Sequence, residues 1–174
     1  MSRLDLAERL SQMVADAEKR AGVQQQTIAR QHATNSMLNS GNFFIAEKQA
    51  LETIYQDTLQ NMEEHALNVV APSDAGSAVK VAGVDLETKF LARFEWILRG
   101  AASGNPCPEK ASEELLSDFR AFAREQLNQT VSDTINNVAG KPVRGWKGWV
   151  GRYGWNAANT IIAALALYWS WGKK

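Results

Sequence analysis

The sequence predicts an all-α protein: a helical bundle containing a long antiparallel helical hairpin, followed by a carboxy-terminal hydrophobic helix of membrane type. Three observations predict it. Apolar residues recur at spacings of three and four through several long segments, as one stripe of a helix does. No segment sustains the alternation of apolar and polar residues between turn signals that a strand would need. At Lys141 the composition changes abruptly, from mixed polar and apolar to basic, aromatic and glycine-rich.

The first helix is expected over residues 3–38. Ser2 and Asp5 have the spacing of a capping box, in which each side chain satisfies a backbone donor left free by the first turn. Leu6, Leu10, Met13, Ala17 and Ala21 supply its apolar stripe, which thins through Gln24, Gln25 and Gln26 and resumes at Ile28. Asn39-Ser40-Gly41-Asn42 punctuates the chain, because Gly and Asn tolerate the left-handed backbone that ends a helix. A second helix is expected over 43–70, with Phe44, Leu51, Ile54, Tyr55, Leu59, Met62, Ala66 and Val69 on its apolar face. Two long helices joined by so short a turn fold back on each other as a hairpin of coiled-coil type.

Residues 71–84 contain Pro72, Asp74, Gly76 and Gly83 and read as a loop. Asp85 would then cap a short third helix over 86–99, carrying Leu86, Phe90, Leu91, Phe94, Ile97 and Leu98. A loop rich in Gly, Ser, Asn and Pro follows, and Pro108 suits the first turn of a fourth helix over 108–138. Its stripe is Leu116, Phe119, Ala123, Leu127, Val131, Ile135 and Val138, and Gly140 and Pro142 stop it. The expected organisation is a cytosolic bundle over 1–139, a basic aromatic juxtamembrane hinge over 140–154, and a membrane helix over 155–172.

The overall charge balance of zero hides a split along the chain. Residues 1–133 carry 13 basic and 19 acidic side chains, whereas residues 134–174 carry six basic and no acidic ones. Such asymmetry points to an anionic surface as partner. The single cysteine, Cys107, cannot form an internal disulfide, and the acidic amino terminus lacks the apolar run of a signal peptide; both predict folding in the cytosol.

The membrane reading rests on named residues. Lys141, Arg144, Lys147 and Arg152 are interleaved with Trp146 and Trp149, and after Arg152 comes an uncharged stretch of 20 residues, Tyr153 to Gly172, with Tyr153 and Trp155 at its start. As a helix this stretch would rise about 30 Å, the hydrocarbon thickness of a bilayer. Trp and Tyr favour the headgroup level, and Tyr168, Trp169 and Trp171 mark the far edge as Trp149, Tyr153 and Trp155 mark the near one. Lys173 and Lys174 can snorkel to phosphates. The greater number of cations before the span would keep the bundle in the cytoplasm, as in a tail anchor. Asn156, Asn159, Thr160 and Ala163 share one stripe of this helix, a pattern suited to helix association in lipid. The same polar residues weaken insertion, which leaves an interfacial helix, or a buried core helix of the bundle, as competing expectations.

No catalytic constellation, cofactor motif or metal-ligand spacing is legible. His32 and His65 lie in different helices without a partner at spacing four, and Glu63-Glu64-His65 reads as a solvated cluster. The basic aromatic stretch could stack on nucleic acid, but the hydrophobic span beside it favours headgroups, so no nucleic-acid partner is expected. The expected function is a non-enzymatic, tail-anchored interaction or scaffold protein with an anionic bilayer and a protein, or a second copy, as partners. The alternative is a pore-forming or membrane-disrupting effector whose last helix oligomerises in the bilayer. A second alternative is a soluble helical protein with the tail as core.

Overall fold

Four helices account for almost all of the chain that the computed structural model describes, namely residues 3–34, 41–100, 104 and 106–136. They are α1 (Arg3–Thr34), α2 (Gly41–Leu67), α3 (Pro72–Leu98) and α4 (Glu109–Asn136), all within one unit of the chain, Met1–Val138. No strand occurs among the described residues. The expected hinge over 140–154 and membrane helix over 155–172 lie outside the described residues, as do the last residues expected in the first and fourth helices. No helix among the described residues is long and apolar enough to cross a membrane.

Side-chain pairs set the helix directions. His32 packs its ring edge on Phe43 and Arg20 donates to Thr58, so α1 and α2 are antiparallel. Tyr55 meets Phe90 while Leu59 lies by Gly83, and Phe94 meets Phe119 while Gly83 lies by Leu127, so α2–α3 and α3–α4 are antiparallel as well. The result is an up-down-up-down bundle. Helices α2 and α3 touch each other and both flanking helices, whereas no close approach of α1 and α4 occurs among the described residues. The cross-section is therefore a rhombus with α2 and α3 on its short diagonal.

The α1 stripe is continuous where the sequence looks broken. Val14, Ala17, Ala21, Gln25 and Ile28 are all buried, so a glutamine fills the gap in the apolar row. In α4, Phe119, Ala123 and Leu127 are buried as expected, but Ile135 is 45 % exposed and Thr134 is buried in its place, its hydroxyl donating to the Thr130 carbonyl.

The loop expected over 71–84, with Asp85 as a helix cap, is overturned. Helix α3 begins at Pro72, whose missing N–H is no loss in a first turn, and Ala71 before it is extended with φ −62° and ψ 151°. Asp85 lies mid-helix and pairs with Lys89 one turn on. Gly76 and Gly83 are buried within α3 and mark where it approaches its neighbours most closely. A Cβ on Gly83 would overlap the Leu127 side chain of α4 and press on Leu59 of α2 at 3.1 Å. Gly83→Val is thus expected to lower the unfolding free energy by about 1–3 kcal/mol, the usual cost of overpacking, read from the urea midpoint. An unchanged midpoint would contradict the close approach.

The α3–α4 turn is held by backbone bonds. Gly100 takes φ 83°, a left-handed conformation that glycine adopts without strain, and its N–H donates to the Ile97 carbonyl. The Cys107 N–H then donates back to Leu98 at 2.8 Å. Pro108 precedes α4 rather than opening it, and its carbonyl accepts from Ser112.

Candidate functional site

The residues singled out for membrane contact and helix association, from Lys141 to Lys174, all lie outside the described residues. The described residues of the bundle offer surface clefts along α1–α2 and α2–α4, and several polar groups in the interior.

The first cleft follows the outer seam of α1 and α2. It has a volume of about 410 Å³ and is lined by Asp16, Arg20, Thr58, Asn61, Glu64 and His65. Thr58 is buried and shares its hydroxyl oxygen between two bonds, donating to the Ile54 carbonyl and accepting from Arg20 at 2.8 Å. The outer faces beside this seam carry amides, with Gln24, Gln26, Gln49, Gln56 and Gln60 all exposed. His65 sits in the last turn of α2 and His32 beside Phe43 near its start, so the two histidines stand at opposite ends of the hairpin. Among the described residues no group of three His, Cys, Asp or Glu is placed to hold a metal ion.

The second cleft lies between the amino-terminal turns of α2 and α4. Its volume is about 460 Å³, its floor is Phe44, Ile45, Cys107, Ala111 and Leu115, and Glu114 and Asp118 form the rim. Ile45 is 45 % exposed. Burial pushes the Cys107 thiol above its usual range, which keeps it protonated and poorly nucleophilic. Lys48 bridges the seam below, 3.4 Å from Glu52 and 3.6 Å from Asp118. At the other end of the α2–α4 contact, Glu63 is raised by burial and then by the charge of Asp133. The α2–α4 flank is thus acidic, with carboxylates close enough to repel.

Glu47, on the α2 face toward α1 and α3, is the feature the sequence reading passed over. It is 1 % exposed, and its Oε1 has no hydrogen-bond partner. Burial pushes its carboxyl up to about 7, against a smaller opposing pull from Arg93 on α3. Arg93 does not pair with it in this structure; it donates to Oε1 of Gln25 on α1 at 2.9 Å. The signal was present in sequence: Glu47 falls one turn after Phe43 and Phe44 and one turn before Leu51, on the apolar stripe itself. Tyr55, two turns further along α2, is fully buried with its hydroxyl unpartnered. Burial and the nearby Glu87 carboxylate both raise that hydroxyl, so it stays neutral.

No family model, curated protein or solved structure matches this chain. Its function must therefore be argued from these surfaces and from the sequence of the tail.

Proposed function

We propose that the chain is a non-enzymatic, membrane-anchored helical interaction protein, with its four-helix bundle on the cytoplasmic side and its tail in or on an anionic bilayer. The observation that carries the reading is the change at Lys141. From there on six cations stand unopposed by any acid, and aromatics mark both edges of a 20-residue uncharged stretch. The bundle supports a docking role in two ways. Its α2–α4 end cleft has an apolar floor and an acidic rim, a combination that suits an amphipathic helix with basic flanks. Its hairpin presents amides, each able both to donate to and to accept from a partner.

A second reading is favoured by one specific pattern. Asn156, Asn159, Thr160 and Ala163 share a stripe, so the tail helices could associate and form a pore.

Flotation with anionic liposomes tests both. Full-length protein is expected to float, and a version ending at Gly140 to stay folded at the bottom of the gradient. Dye release on binding would then favour the pore, and intact vesicles the anchor. Loss of helical signal in the truncated chain, with no flotation of either, would overturn the membrane reading and make the tail part of the core.

A further inference from the structure

Glu47 is buried at the junction of three helices, and among the described residues no other carboxyl or cation is buried to this degree. A carboxylate left there without a partner is costly, because the interior offers no water to solvate it. Arg93 is the cation whose charge bears on it. Several other charged groups of the surrounding helices are engaged elsewhere, and Arg30 on α1 is exposed. On α1, Arg20 donates to Thr58 and Glu18 pairs with Lys89, while His32 packs its ring against Phe43 with its Nδ1 buried and unpartnered. On α3, Lys89 is held by Glu18 and Asp85, and Glu87 by Arg124 of α4. On α2 itself, Lys48 is turned to Glu52 and to Asp118 of α4.

Arg93 donates to the neutral Gln25, and the Glu47 carboxyl, on which its charge bears, is the stronger acceptor nearby. Gln25 is a neutral amide, 9 % exposed, and takes the bond at 2.9 Å. The guanidinium also lies beside Gly22, one turn earlier on α1, where a Cβ would make an ordinary contact at 3.7 Å. A charge-assisted bond to a carboxylate is roughly twice as strong as one to a neutral amide. The choice between the acceptors therefore turns on whether Glu47 holds its proton.

We propose that Arg93 is a two-position arm: it ties α1 to α3 through Gln25 while Glu47 is neutral, and swings onto Glu47 when the carboxyl is ionised, loosening residues 22–34 of α1. The proton leaves to solvent, Gln25 loses its donor, and a buried amide without a partner favours opening of the helix that carries it. Acid locks the carboxy-terminal half of α1; mild alkali releases it.

The test is a pair of double-mutant cycles on the full-length chain, read from urea unfolding near pH ~5 and near pH ~8. One cycle combines Gln25→Leu with Arg93→Met, the other Glu47→Gln with Arg93→Met. The first coupling is expected to change the unfolding constant about fivefold at the lower pH and to vanish at the higher, and the second to do the reverse. Should the arginine variant fail to fold, amide exchange of wild type and Glu47→Gln decides alone. Residues 22–34 of the wild type are expected to lose about tenfold more protection than residues 119–131 as the pH rises, and Glu47→Gln to abolish that excess. Couplings that do not trade places with pH, or an excess that survives Glu47→Gln, would overturn the arm.

Discussion

Truncating Phe94 to alanine is expected to lower the unfolding free energy by about 3–5 kcal/mol, the loss usual for a fully buried phenylalanine. Phe94 is 0 % exposed and packs against Phe119 of α4, with ring centroids 5.6 Å apart and an interplanar angle of 57°. Removing the ring loses its transfer energy, the favourable tilted pair, and the fit of a cavity that rigid helices cannot close. A domain of this size commonly has about 5–15 kcal/mol in all, so the variant should stand near the edge of folding. Trp96, two residues along, supplies the control. It is larger yet 51 % exposed, and Trp96→Ala should cost far less. Urea midpoints of the two variants give the comparison directly. If Trp96→Ala proved the more damaging, the rotational setting of α3 described above would be wrong.

Glu47→Gln is expected to stabilise the protein above neutral pH and to do little in acid. The carboxyl is raised from 4.5 to about 7 on folding, so the native state holds the proton more tightly than the unfolded chain does. Stability from this group is complete below pH ~4.5, falls as the pH rises through the interval, and is lost once the pH passes about 7. At about 1.4 kcal/mol for each tenfold change in proton affinity, the full loss is about 3 kcal/mol. Glutamine keeps the shape and never ionises, which removes that slope. Glu63 is raised in the same sense and leaves a residual decline of its own. The measurement is the urea midpoint of both proteins from about pH 4 to pH 8. Parallel curves for wild type and variant would show that Glu47 is not the group that titrates.

The course of α1, α2 and α4 was legible because each carries a stripe at helical spacing, and the polar faces between stripes are exposed as that pattern requires. Two things were not legible, for different reasons. In 71–84 the glycines and the proline resemble punctuation, but Pro72 sits where a helix begins, and Gly76 and Gly83 are chosen for the neighbours they admit. That choice depends on Leu127 and Ile135, which lie roughly fifty residues away in the sequence and in another helix. Gln25 and Glu47 were passed over because polar residues on an apolar stripe read as interruptions. Their burial follows only once Arg93, from a third helix, is placed beside them. The residues from Lys141 onward, expected from composition to contact a membrane, lie outside the described residues, and flotation is the observation that bears on them.

The rhombic cross-section also sets an order of manufacture. Helix α1 needs α2 and α3 but not α4, so the first three helices can settle as soon as about a hundred residues have left the ribosome. The 28 residues of α4 follow over on the order of a few seconds. During that interval the faces of α2 and α3 that α4 covers, including those around Gly83 and Phe94, stand bare.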